Sequence, residues 1–212
     1  MITCFFGVPR VGKNTFLTMI AQRELARIKK GRSIYKHIYT DFYCEGCERI
    51  KFDDIGKYKI YDSLLLFEVM GLDADGRAYK TFSNGKRDFL VLHGQFHNDI
   101  IYATQDYSNV DKKLRDLTQE LWYLEKSCVP FLENWTVATR IFRNININEF
   151  TSDLVVGYRF STLLEKLFTK VRIVCFRPFY YRKFESWNEG SLASREVLQT
   201  ELWQRKRRAT PS

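Results

Sequence analysis

The sequence contains no run approaching ~18 consecutive apolar residues, so no segment of it is expected to cross a bilayer as a helix. Its opening stretch, MITCFFGVPR, has no basic region before the apolar residues and no small-residue cleavage site after them, which argues against a secretory leader. Five cysteines, an odd count at irregular spacing, do not read as a disulfide framework. A reducing compartment, the cytoplasm, is therefore the expected location. There is no internal repeat, no GxSxG signature of a serine hydrolase and no NKxD-type guanine motif, which leaves serine hydrolases and GTPases without support.

The 212 residues are 45% hydrophobic and 16% aromatic, enough to bury a substantial core. We expect one main globular unit, divided into a core over 1–130, a β-rich extension of the same domain over 131–184 and a polar, basic, partly disordered tail over 185–212. Basic residues exceed acidic ones, 34 to 25, for a net charge of +9. Between Lys170 and Ser212 there are ten basic and four acidic residues, net +6. Such an excess favours phosphate-bearing partners or anionic lipid without choosing among them.

The apolar run Ile2 to Val8 reads as a strand buried on both faces. Phe16, Ile20, Leu25 and Ile28 follow at roughly helical spacing. Lys29, Lys30 and Arg32 gather where the helix dipole favours cations, and Gly31 is placed to cap the end. Further short strands are expected at His37 to Tyr43, Ser63 to Val69, Ile100 to Thr104 and Leu121 to Glu125, separated by segments long enough for crossovers. The alternation predicts a three-layer α/β fold with a mainly parallel central sheet. After Val129, TVATRIFRNINI and VRIVCFRPFYYRKF are β-branched and aromatic, which predicts a β-rich extension of that sheet.

Gly7, Val8, Pro9, Arg10, Val11, Gly12 and Lys13 satisfy GxxxxGK between a buried strand and a helix, which is the context a phosphate loop requires. Glycines let the backbone curl around phosphate oxygens. Successive N–H groups at the helix start favour an anion, and Lys13 can reach the terminal phosphates. The next position, where the pattern has Ser or Thr to ligate Mg²⁺, is Asn14. An amide oxygen binds a hard cation, but it projects further and carries an NH₂ that cannot coordinate. Thr15 is a hydroxyl one residue late, rotated by about 100° on a helix. Gly7, Pro9, Arg10, Val11, Gly12, Lys13, Asn14 and Thr15 are the candidate nucleotide-binding residues, and nucleotide binding is better supported than Mg²⁺-dependent hydrolysis.

Leu64, Leu65, Leu66 and Phe67 lead into Glu68, the arrangement expected of an acid at the end of a buried strand beside a phosphate loop. Val69 follows where a second acid would stand. Glu68 is therefore a candidate for metal binding, with Asn14, or for activating the attacking water. As adjacent strand residues face opposite ways, one side chain does not easily fill both roles. The plain structural reading is a carboxylate that ends a core strand. Asp73 and Asp75 read as an ordinary turn. Ile100 to Thr104 form another apolar strand ending in Gln105, whose amide could sense the terminal phosphate or cap the strand end.

With the loop GVPRVGKNTF, the strand LLLFE and the run IIYATQDYSNVDKKLRDL, residues Met1 to Lys126 resemble the zonular occludens toxin-like family of filamentous-phage assembly ATPases, within the FtsK/HerA lineage. The resemblance implies a sheet of the additional-strand, catalytic-glutamate (ASCE) type, and ATP with Mg²⁺ as ligands. It also implies a role in phage assembly or export of single-stranded DNA, by a homo-oligomer working with other assembly proteins at the host inner membrane. On that pattern Gly7, Gly12 and Lys13 hold phosphates, Glu68 and Gln105 are the catalytic acid and sensor, and Arg115 matches a basic position that could act at a subunit boundary. A solvated helix charge explains Arg115 as well. Asn14, Val69, the stretch Gly94-Gln95-Phe96-His97 and the lack of a membrane span depart from the family, and leave a non-catalytic nucleotide-binding module as the competing class. A small P-loop kinase would need an acceptor pocket and a lid with convergent arginines, which the sequence does not identify.

Cys44 and Cys47 form a CxxC and His93 and His97 an HxxxH, nominally four zinc ligands, but two expected elements separate the pairs. Arg177 to Phe184, RPFYYRKF, could stack on single-stranded bases, although alternating aromatics on a half-buried strand account for it more simply. Gln204 to Arg208, QRKRR, could meet DNA or acidic lipid, or could be only a solvated tail.

Overall fold

A computed structural model describes residues 1–68, 84–127, 132–147, 154–162, 165 and 171–185. Val69, Asp73, Asp75 and the QRKRR sequence lie outside these residues. Five strands and one helix set up the core: β1 (Ile2–Phe6), α1 (Lys13–Lys29), β2 (His37–Thr40), β5 (Ser63–Phe67), β6 (Asp99–Thr104) and β7 (Glu120–Lys126). Short strands β3 (Tyr43–Cys44) and β4 (Glu48–Arg49) follow β2. Helices α2 (Asn84–Leu92) and α3 (Lys112–Leu117) flank β6 in sequence. The last third adds β8 (Trp135–Ile147), β9 (Leu154–Phe160), β10 (Arg172–Phe176) and β11 (Phe184–Glu185).

The main sheet runs in the order β10-β8-β7-β1-β6-β5-β2-β4, with β9 paired to β8. From β7 to β4 every pairing is parallel, and β8 then turns the sheet antiparallel on the β7 side. The expected mainly parallel sheet with a β-rich extension is therefore present, and β8 and β10 continue the core sheet instead of starting a second one.

Alternation along the central strands explains why they read as unbroken apolar runs. Ile2, Cys4, Leu65, Phe67, Ile100 and Tyr102 face one layer, packed with Phe89 and Leu90 of α2 and Leu114 of α3. Phe5, Leu64, Leu66, Ala103, Trp122 and Leu124 face the other, packed with Phe16, Leu17 and Met19 of α1. Both faces are covered, so both residue parities must be apolar. On α1 the fully buried apolar positions are Phe16, Leu17, Met19 and Ala21, whereas Ile20, Leu25 and Ile28 are partly buried at the edge of the same cluster. Gly31 ends the helix at φ +64°, and its N–H bonds the Ile28 carbonyl at 2.9 Å. That is the left-handed geometry for which glycine is the favoured residue.

The RPFYYRKF segment is not a half-buried strand. Arg177–Tyr180 forms a single 3-10 turn packed on α1, and Phe184–Glu185 forms a short pair with β3. Proline near its start pre-sets φ and removes a donor, which favours a turn over continuation of β10. Among the described residues no helix is long and apolar enough to cross a membrane.

Candidate functional site

The loop Gly7–Gly12 leaves the C-terminal end of β1, where β1 lies between β6 and β7. Its first turn is fixed by the sheet: the Gly7 N–H donates to the Thr104 carbonyl of β6 at 3.3 Å. A Cβ on Gly7 would fall on the backbone carbonyl oxygen of Leu124 in β7. Gly7→Ala must push two core strands apart, and an unfolding midpoint shift worth about 3 kcal/mol is expected, read by urea denaturation.

At the other end, Arg10 has φ 65° and Gly12 φ 93°, so the chain reverses through left-handed backbone before α1 begins. Gly12 occupies the N-cap, no side chain caps the helix, and its first turn holds no acidic residue. The first N–H groups of α1 are thus left to an external acceptor, as at helix termini that bind phosphate.

Lys13 is 8% exposed, and its Nζ donates to the carbonyls of Gly7 at 2.9 Å and Val8 at 3.1 Å. Burial lowers its pKa, while the charge of Glu68 works in the opposite direction. Glu68 stands directly after β5, with its carboxylate hydrogen-bonded by Asn14. Burial raises its pKa to about 7, against the bond from Asn14 and the charge of Lys13, both of which favour the carboxylate. Lys13, Asn14 and Glu68 are therefore brought together. Asn14, in place of a hydroxyl residue, spans the gap between helix start and acidic strand.

Gln105 follows the end of β6, next in register to the Phe6–Thr104 pair, and so stands at the loop's flank. Its side chain is exposed and has no hydrogen-bond partner among the described residues. Thr15 is buried, and its carbonyl lies 4.0 Å from the Cys175 thiol. Val11 is buried in the α1-side core, whereas Pro9 and Arg10 are exposed. The Arg115 carbonyl accepts from Tyr107 at 3.3 Å and Arg143 at 2.6 Å.

Three residues that the sequence does not assign to the loop support it. Asp41, just beyond β2, accepts the Glu68 N–H with both carboxylate oxygens, each at 2.8 Å, and fixes the backbone that carries the acid. HIYTD and LLLFE both end an apolar strand in an acid, which was the signal available. Thr136 of β8 donates its hydroxyl to the Val11 carbonyl at 2.7 Å, across 125 residues of sequence. Arg177 lays its stem on Gly12, where an added Cβ would meet its Cδ at 2.6 Å. Nothing local in the sequence announces either long-range contact.

The zinc constellation does not assemble. Cys44 and Cys47 close a tight turn on each other, whereas His93 bonds the Leu90 carbonyl and His97 the Asp62 carboxylate. Among the described residues no group of three His, Cys, Asp or Glu side chains could hold a metal. At Asn14 and Glu68, in contrast, the amide NH₂ is donated to the carboxylate, which is itself a hard oxygen donor beside the loop. A carboxylate of this kind fits Mg²⁺, which takes one or two carboxylates and completes its shell with water and phosphate.

The strand order completes the class assignment. Between the loop strand β1 and the acidic strand β5 lies the additional strand β6, and the glycine loop opens directly into α1. The chain has the three-layer α/β fold of P-loop NTPases. Among solved structures it is similar to the N-terminal domain of zonular occludens toxin from Neisseria meningitidis, with 14% identity over 78% of this chain and 96% of that one and a TM-score of 0.48. It is also similar to the genome packaging NTPase B204 of Sulfolobus turreted icosahedral virus 2, solved with ATP-gammaS, at 10% identity, 73% and 95% coverage and a TM-score of 0.42. A KaiC-like protein of Pyrococcus horikoshii aligns at 10% identity over 74% and 88%, with a TM-score of 0.41. No family model matches the chain, and no curated protein matches it.

Proposed function

We propose that the chain binds ATP at the loop Gly7–Gly12 and hydrolyses it with Mg²⁺, as the nucleotide-driven part of a machine that moves or packages DNA. The observation that carries this reading is the convergence of Lys13, Asn14 and Glu68 at an uncapped helix start. Loop and helix N–H groups cradle the phosphates, and Lys13 exchanges its two carbonyl partners for phosphate oxygens of opposite charge. Asn14 and Glu68 would hold Mg²⁺, whose charge offsets that of the terminal phosphates. The alternative role for Glu68, with its pKa near neutrality, is to accept a proton from the attacking water instead of ligating the metal. Asp41 holds Glu68 in position through the backbone, and Gln105 stands at the loop's flank, where an amide can orient the terminal phosphate.

The motif resemblance to phage assembly ATPases supports single-stranded DNA as cargo, and the net charge of +9 is compatible with it. Homo-oligomerisation and docking to other assembly proteins at the inner membrane belong to the same reading. The test is Mg²⁺-ATP hydrolysis by the purified chain, with and without single-stranded DNA. Turnover that rises with DNA is the expected result. ATP binding without turnover would reassign the chain to the non-catalytic nucleotide-binding class.

A further inference from the structure

Arg177, the first residue of the RPFYYRKF segment, lies against the phosphate loop. Arg177 crosses Gly12, and its guanidinium is held by the main chain: Nε donates to the Asn134 carbonyl at 3.3 Å and Nη2 to the Glu133 carbonyl. These donors lie in the plane of the group, so the two bonds fix that plane and leave its flat face for another partner.

The direction of a bound nucleotide follows from the sheet. Glu68 and Asn14 mark the terminal-phosphate end on the β5 side of β1. Arg177 arrives from β10 on the opposite side, beyond β7 and β8, so the nucleoside end faces it. A planar cation fixed edge-on at that end is matched to a flat, π-rich ring. Resting on the proposed nucleotide-binding function, we propose that Arg177 stacks on the base of the bound nucleotide, making the β8–β10 extension the nucleoside half of the site. This would give the extension a binding role in addition to the bracing bond from Thr136 to Val11.

The test compares Arg177→Met, which keeps an unbranched stem over Gly12, and Arg177→Lys, which keeps the charge without the plane, with the wild-type chain. Dissociation constants for ATP, ADP and inorganic tripolyphosphate are measured by calorimetry on the full chain. Both variants should bind ATP and ADP about tenfold more weakly, as expected for one lost stacking contact, with tripolyphosphate affinity within about twofold of wild type. Unchanged ATP affinity would overturn the proposal. So would parallel loss of tripolyphosphate, which would make Arg177 a brace for the loop, or loss confined to ATP, which would place it at the terminal phosphate. Wild-type protein that binds neither ATP nor tripolyphosphate would overturn the phosphate-loop reading itself.

Discussion

Lys13→Ala is expected to weaken ATP binding by about a hundredfold, the loss of roughly two charge-assisted hydrogen bonds to phosphate. Folding should suffer little by comparison. The lysine is nearly buried, and burial lowers its pKa, so the chain bears a cost for keeping this charge where it is. Its two carbonyl bonds to Gly7 and Val8 offset part of that cost, and truncation frees both carbonyls on the strand-to-loop turn. Thermal unfolding without ligand should therefore change by a few degrees, while calorimetric ATP titration shows the large loss. An equal loss of stability and binding would mean that Lys13 serves the loop's structure and not its ligand.

Glu68→Gln is expected to cut turnover by about a hundredfold or more while ATP still binds. Whether it ligates the metal or activates water, Glu68 works as the carboxylate, so wild-type activity should fall as the pH is lowered and this group is protonated. Stability should run the other way. Burial holds the folded-state pKa near 7, above the ordinary 4.5, so the folded chain binds more protons than the unfolded one between those values. The contribution from this group is fully present below pH 4.5 and is lost as pH rises through 7. The glutamine, which cannot ionise, should be more stable than wild type at pH 8 by about 2 kcal/mol after allowance for partial exposure. The two proteins should differ least near pH 4, and denaturant titrations at both pH values check the sign.

Much of the core fold was legible because each signal was local. Continuous apolar runs marked doubly covered strands, the glycine loop marked a strand-to-helix turn, and Gly31 marked a helix end. The same held for Lys13 and Glu68, each flagged by its place at the end of an element. Sequence did not show that Asn14 reaches Glu68, because the separation is set by the strand order β1-β6-β5 and not by spacing along the chain. Asp41 was legible in principle, since HIYTD repeats the acid-at-strand-end pattern, but only the pairing of β2 with β5 turns it toward Glu68. RPFYYRKF was misread as a strand because aromatic composition resembles β-propensity, whereas Pro178 and packing on α1 decide its conformation.

The measurement that tests the central claim most directly is calorimetric titration of the purified full chain with ATP in Mg²⁺ buffer, with Lys13→Ala run in parallel. The account predicts saturable binding of one nucleotide per chain that is lost in the variant. No saturable binding to a folded wild-type chain, or binding that Lys13→Ala leaves intact, would contradict it.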